Sequence, residues 1–438
     1  MEMEWYWALA ILIGMVMFFM AMGVPVALTF ITANVIGVLI FMGDVAGWTQ
    51  IVDNSTDLIT RFTLGPVPMF IMMGALFFHT GLAIRVFNGL DVLFGRLPGR
   101  LCYLTVAGGT MFSTLTGSSM ANTAMLGSLM VPEMQRRGYN QRMSMGPILG
   151  TGGLAMIIPP SALGVLLASV ANIDVGRLLV AGFLPGIVLA GLYAALIYLQ
   201  LRINPDSAPA YAVEMPSMMG RVKLVCTNIL PMSLVVFMVI GFIILGWATP
   251  TEAAAFGVLG VVILAIIFRV MTFTALRNAV EATVKVAGMV FFIIMSSTVF
   301  SQLLAFSGGS AGLLEWATGF EISKYWVLLL MFFILIALGM FMDAVSMMLI
   351  TVPIFFPLAQ QLEFDLIWFG LFVLMTFEMA GTTPPFGLLL YVMLGVAPKG
   401  TTLFQVASAA FPFLICDAIL IVILIFWPGL ALWLPSLM

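Results

Sequence analysis

Apolar stretches too long for a soluble core follow one another along this chain, separated by short polar joints. Ten of them read as membrane crossings, at 5–23, 25–43, 62–83, 146–172, 178–200, 224–246, 252–270, 286–306, 366–396 and 404–434. A helix needs about 20 apolar residues to cross a hydrocarbon core of roughly 30 Å. Two further apolar stretches, 101–134 and 325–360, are too long for one crossing and are interrupted at their centres. The first is broken at Thr116-Gly117-Ser118-Ser119, the second between Gly339 and Asp343. A segment that enters the bilayer, turns at mid-depth and leaves on the same side accounts for both. Such turns are tolerated only where protein or a wet cavity satisfies the backbone.

Basic residues test this layout. With the N-terminus outside, Arg85, Arg96, Arg100, Arg136, Arg137, Arg142, Arg202, Arg221, Lys223, Arg269, Arg277, Lys285 and Lys399 are cytoplasmic, and only Arg61, Arg177 and Lys324 are not. That split follows the positive-inside bias. Making either hairpin cross would send later basic loops to the wrong side. Both termini are then expected on the outer side of the membrane.

The prolines carry a repeat. Pro25 and Pro250, Pro132 and Pro357, and Pro159-Pro160 and Pro384-Pro385 are each separated by 225 positions, and Ser118 meets Asp343 at the same offset. The expected fold class is therefore an all-α integral membrane protein, an inverted repeat of about five crossings plus one re-entrant hairpin each. The first unit covers 1–223, with its hairpin at about 101–134 and a broken helix at about 146–172. The second covers 224–438, with its hairpin at about 325–360 and a broken helix at about 366–396. An odd number of crossings per unit inverts the second against the first. Inverted repeats with discontinuous helices near the midplane are the architecture of secondary transporters. A channel is the rival reading.

Composition narrows the classes further. Of 438 residues, 63% are hydrophobic and 8% charged, against about 25% charged in soluble domains. The net charge of -3 supplies no basic stripe for nucleic acid. Cys102, Cys226 and Cys416 sit far apart in apolar sequence and read as buried thiols without disulfide or metal spacing.

The chemistry is expected at four interruptions, namely Thr116–Asn122, Gly152–Ser161, Gly339–Asp343 and Ala380–Gly387. Proline removes a donor and glycine accepts unusual dihedrals, so carbonyls are freed there. With Ser and Thr hydroxyls they offer hard oxygens to a small cation. The helix N-termini that follow offer partial positive charge to an anion, in segments without Lys or Arg. Asp343 is a mid-membrane carboxylate, read first as a cation-linked or hairpin-bracing group and second as the cap of its own hairpin arm. Glu378 is a second such acid. Glu252 reads as structural, at a helix start, and His79 as a polar helix terminus. Gly308-Gly309-Ser310-Ala311-Gly312 matches a nucleophile-elbow pattern, but it is expected in a loop, with the one histidine in the other half. No phosphate-binding Gly-x-x-x-x-Gly-Lys run occurs. The chain is not read as an enzyme.

The run from Gly117-Ser118-Ser119 to Met134, Ile158-Pro159-Pro160-Ser161, Thr249-Pro250-Thr251-Glu252-Ala253-Ala254, Gly339 to Asp343, and Thr383-Pro384-Pro385-Phe386-Gly387 together resemble the large membrane subunit of TRAP (tripartite ATP-independent periplasmic) transporters, of the DctM-like kind. The resemblance covers nearly the whole chain. It implies an elevator-type, sodium-coupled importer of a small organic acid in a bacterial inner membrane. It further implies two partners, a small four-helix membrane subunit and a soluble periplasmic substrate-binding protein. On that resemblance Ser118, Ser119, Gly153, Ile157 and Pro159 form one Na+ site, and Gly339, Asp343, Thr382 and Thr383 the other. Substrate would lie near Asn122, Pro160 and Thr383. The acid at Glu378, so near the second site, leaves proton involvement open. The alternatives are a stand-alone ion-coupled anion transporter of related architecture and an intramembrane hydrolase.

Overall fold

The computed structural model describes residues 3–43, 45–60, 64–94, 97–116, 118–209, 217–319, 323–340, 342–385 and 387–438. Gly117, Phe341 and Phe386, at three of the expected interruptions, and Arg61 and Arg96 of the charge pattern lie outside the described residues. Among the described residues the regular structure is helical.

The chain opens with α1 (Trp5–Ala21) and α2 (Val26–Phe41), followed by α3 (Val45–Thr60), α4 (Pro66–His79) and α5 (Leu82–Phe94). The first hairpin is α6 (Arg100–Thr116) and α7 (Ser119–Arg136). Next come α8 (Gln141–Ile157), α9 (Ala162–Ala171) and the long α10 (Val175–Ile203). The second half begins with α11 (Met218–Leu224), which runs through a π-helical turn at Val225–Ile229 into α12 (Leu230–Ile244). It continues with α13 (Pro250–Ile267), α14 (Phe273–Phe306) and α15 (Gly309–Thr318). The second hairpin is α16 (Lys324–Gly339) and α17 (Ala344–Gln361), after which come α18 (Leu366–Thr382), α19 (Leu388–Val396), α20 (Leu403–Phe426) and α21 (Gly429–Leu432).

In each stretch expected to form a hairpin two helices pack on one another, α6 on α7 and α16 on α17, with Ser118 just before α7 and Met342-Asp343 just before α17. The bounds of α7 and α17 differ by 225 positions at each end, as do those of α8 and α18. The peptide bonds Pro159-Pro160 and Pro384-Pro385 are both cis.

Several expectations need correction. The interruption expected from Gly152 begins only at Ile158, because α8 runs unbroken through Gly152 and Gly153. Ala380, Gly381 and Thr382 likewise belong to α18, and the break begins at Thr383. Glycine in these helices serves close packing, as small residues do between membrane helices. The Gly-x-Ser-x-Gly stretch is not a loop, since Gly309–Thr318 is helical and Gly308 caps it at φ 74°. Cys226 is exposed, whereas Cys102 and Cys416 are buried, and all three are free thiols. The helices α3, α5 and α15 occur where no crossing was expected. The first two are amphipathic, mixing polar and apolar residues, so a search for continuous apolar runs passes over them.

Two groups of helices carry the packing. Around α4 and α14 gather α2, α13 and, through α13, α12. The 34 residues of α14 span about 51 Å, more than the hydrocarbon thickness, and its wet end carries the Arg277–Glu281 pair at 2.7 Å. The second group surrounds α8, which touches α6, α7, α10, α18 and α20. Every residue of α8 from Met143 onward is buried, as is the following break from Ile158 to Ser161. Its glycines admit the neighbours, with Gly146 and Gly150 lying under the Phe413 ring of α20.

Candidate functional site

Each hairpin tip folds by the same local rule. A helix start leaves backbone N–H groups unpaired, and a short oxygen-bearing side chain just before it satisfies one or two of them. Ser118 caps α7 by accepting from the Ala121 N–H at 3.4 Å. Asp343 caps α17, its Oδ2 accepting from Val345 N at 3.0 Å and Ser346 N at 3.3 Å, while the Ser346 hydroxyl donates to Oδ1. The carboxylate thus performs the role ranked second from sequence. After its break, α9 is capped by Ser161, which accepts from Gly164 N at 3.0 Å. The start of α19 differs, because Gly387 provides no side-chain cap.

A cavity of about 710 Å³ lies between the two groups of helices, within the range of roughly 300–1,000 Å³ usual for small-molecule sites. Ser118, Ser119, Met120 and Ala121 from one hairpin tip line it, and Gly339, Met342, Asp343 and Ala344 from the other. The first-turn residues Ala162 of α9 and Leu388 of α19 also lie on its wall. On the opposite side it is closed by α2, α4 and α14, through residues such as Ala27, Ile71 and Met289. His79, the last residue of α4 as expected, reaches its edge.

The structure thus brings Ser118, Ser119, Gly339 and Asp343 to one space. Asn122, Pro160 and Thr383, expected beside the substrate, do not line it, and neither do Gly153, Ile157, Pro159 and Thr382. Asn122 is turned inward, where its side-chain amide donates to Ser113 Oγ at 2.5 Å and to the Thr151 carbonyl at 2.9 Å, tying α7 to α6 and α8. The Thr383 hydroxyl donates to the Met379 carbonyl at 2.6 Å and that of Thr382 to the same carbonyl at 3.1 Å. Pro159 and Pro160 are buried, and the Ile157 carbonyl faces Gly182 of α10.

Buried polar groups are almost always hydrogen-bonded, so exceptions point to a missing partner. Three oxygens on the first turns of α7 are such exceptions among the described residues: Ser119 Oγ, Asn122 Oδ1 and Thr123 Oγ1. Thr123 Oγ1 lies where a Cβ on Gly152 would be, 2.2 Å from it, so only glycine admits this hydroxyl against α8. The donor set is neutral, hard oxygen. That chemistry suits a small cation.

Sequence reasoning missed a second polar centre. Tyr193 of α10 donates to Asp417 Oδ1 of α20 at 2.5 Å and lies 3.5 Å from Glu378 Oε1 of α18. All three are buried, and Glu378 Oε2 has no partner among the described residues. The Glu378 side chain fills the notch at Gly153, where a Cβ would come within 2.1 Å of its Cγ. One signal was available: Asp417 is the single charged residue of α20. Glu252 is structural as expected, closing a reciprocal capping box with Thr249 at the start of α13. Ser310 lies in a separate groove of about 260 Å³ whose lining includes no histidine, so the hydrolase pairing with His79 does not form.

The family model described as tripartite ATP-independent periplasmic transporter, DctM component, matches residues 13–430. The C4-dicarboxylate TRAP transporter large permease protein DctM of Pseudomonas aeruginosa is 31% identical over 380 residues, covering 86% of this chain and 87% of that protein. A Salmonella typhimurium protein, YgiK, is 29% identical over 441 residues, covering 100% of this chain and 99% of its own length. Among solved structures, the Alcanivorax borkumensis YdaH transporter superposes with a TM-score of 0.59 over 89% of this chain and 90% of that one, at 14% identity. That is a likeness of fold.

Proposed function

Because this chain belongs to the DctM component family of tripartite ATP-independent periplasmic transporters, we propose that it is the large permease subunit of a sodium-coupled system importing a small organic acid. The family consists of transport permeases, not enzymes, and its apolar helices make this a multi-pass inner-membrane protein. In the proposed system a small four-helix membrane subunit accompanies the permease, and a periplasmic binding protein delivers the acid. Both termini face the periplasm.

The observation that carries the reading is the meeting of both hairpin tips at one cavity between two groups of helices. The group around α8 would move as a body against that around α4 and α14, exposing the cavity to one side and then the other. Two inverted units related by the 225-residue offset give such a movement two near-equivalent end states. The unpartnered Ser119, Asn122 and Thr123 oxygens support the first Na+ site, to which the resemblance adds Ser118, Gly153, Ile157 and Pro159. The second, from Gly339, Asp343, Thr382 and Thr383, is supported by the close approach of Gly339 to Ala380, where a Cβ would meet that side chain at 2.3 Å. Helix N-termini at the cavity would hold the carboxylate.

The test is uptake by the reconstituted three-component system as a function of Na+ concentration. Ser119→Ala and Thr123→Ala for the first site, and Thr383→Ala for the second, should each raise the Na+ concentration for half-maximal uptake about ten-fold, the scale of one lost ligand to a charged group. Wild-type uptake that ignores Na+ would remove the coupling proposal, and unshifted curves in all three variants would remove the sites.

A further inference from the structure

On the reading of the 710 Å³ cavity as the substrate site, we propose that His79 recognises the substrate, donating a hydrogen bond from the α4 side of the cavity to an oxygen of the acid.

The helices around α4 and α14 give the cavity an apolar wall with one exception. From α2 and α14 come residues such as Ala27, Val286 and Met289. From α4 come Val67, Ile71, Gly74, Phe78 and His79, whose spacing of three and four positions is one face of a helix. That face is apolar until its last residue. Among the described lining residues, His79 is the one side chain of these helices that can donate a hydrogen bond, and no lysine or arginine lines the cavity at all.

The ring is free for this task. A histidine near the end of a helix ordinarily serves the last carbonyls. Here those carbonyls are already served. That of Leu76 accepts the Thr80 N–H at 3.0 Å and the Thr80 hydroxyl at 2.7 Å, and that of Phe78 accepts the Gly81 N–H at 3.1 Å. The His79 ring meets Phe78 edge to face, with centroids 5.2 Å apart, and its nitrogens have no hydrogen-bond partner among the described residues. It is half-buried and lies on the wall, so those nitrogens can pair with what enters.

Its level in the cavity is that of the polar groups across from it. Phe77 packs against Phe112 of α6, with ring centroids 6.1 Å apart, and Phe112 precedes Ser118 by six positions. Ser118 and Ser119 at the start of α7 and Asp343 at the start of α17 supply the polar side chains of that opposite wall, where the proposed Na+ sites lie. An acid held there turns its remaining oxygens toward α4. An oxygen buried against apolar groups without a partner is disfavoured, and His79 is where one is available. A site built around such a donor discriminates against analogues that cannot reach it.

His79 is the one histidine of the chain, so carbethoxylation by diethyl pyrocarbonate, read by mass on this polypeptide, reports on a single imidazole. The permease, purified with its small membrane subunit, is treated in NaCl with succinate, hexanoate or gluconate present, and binding of each acid is read separately as a rise in the thermal unfolding midpoint. Without an acid His79 should react; a ring that stays unmodified is closed off from the cavity and overturns the proposal. An acid that raises the midpoint should, at about ten times its half-saturating concentration, slow the reaction at His79 about ten-fold. His79→Ala should keep the acid-free midpoint and raise the half-saturating concentration about ten-fold, the scale of one hydrogen bond to a charged group. His79→Gln, which keeps an N–H donor, should lose less. Undiminished reaction at His79 under an acid that raises the midpoint, or an unchanged half-saturating concentration in His79→Ala, overturns the role of His79 and leaves the organic-acid permease standing. If none of the three acids raises the midpoint, the assignment of the cavity falls and the role of His79 falls with it.

Discussion

A methyl group on Gly153 would lie 2.1 Å from Glu378 Cγ and 2.3 Å from Oε1, so this glycine is where α8 makes room for a buried acid. Gly153→Ala should lower the unfolding free energy by about 1–3 kcal/mol, the usual scale of overpacking. Gly191→Ala on α10 meets nothing within 4 Å and should be neutral or stabilising by up to about 1 kcal/mol. Pairing Gly153→Ala with Glu378→Ala should relieve part of the loss, and strict additivity in the melting data would show that the two positions do not press on each other. Residues whose role is set within a few positions were legible beforehand. Glu252 follows Thr249-Pro250-Thr251 in a capping pattern, and His79 ends an apolar run. Asp417 and Tyr193 were not read, because the significance of a lone acid on α20 depends on a phenol 224 positions away.

At the scale of the element, the two hairpins fold from one recipe. An apolar arm stops at small or polar residues, a capping oxygen appears, and a second arm starts. Asp343 serves that recipe on α17, which separates its structural from its ionic role. Asn caps nearly as well as Asp, so Asp343→Asn should retain the wild-type melting temperature, while Asp343→Ala should lose about 0.5–2 kcal/mol. If the charge also holds Na+, as proposed, Asn will still impair sodium-driven uptake. Normal uptake by a stable Asn variant would confine Asp343 to capping. Element identity was legible because apolar length and breaks are local properties. Where the breaks fall was less so. Gly152-Gly153 looked like an interruption, yet α8 runs through it, because packing against Thr123 and Glu378 from other helices uses the missing side chains.

For the whole molecule, the decisive prediction concerns relative motion. Ser297 of α14 donates to the Leu349 carbonyl of α17 at 3.2 Å, and α17 packs on α9 and α18 beside α8, so this contact joins the two groups of helices. With Cys102, Cys226 and Cys416 replaced, a Ser297→Cys, Leu349→Cys pair joined by a short thiol cross-linker should abolish uptake, and reductive release should restore it. Full uptake in the cross-linked protein would exclude movement of α17 against α14. The sequence alone determined the membrane as solvent, the apolar helices and the 225-residue correspondence of α7 with α17 and of α8 with α18, since hydropathy, proline and capping chemistry act within a turn or two of the chain. It could not determine which polar groups share a space. Ser119 and Asp343 face one cavity, Asn122 turns away from it, and Glu378 meets Tyr193 and Asp417, because those outcomes depend on how helices far apart in the chain cross and how closely their glycines let them approach.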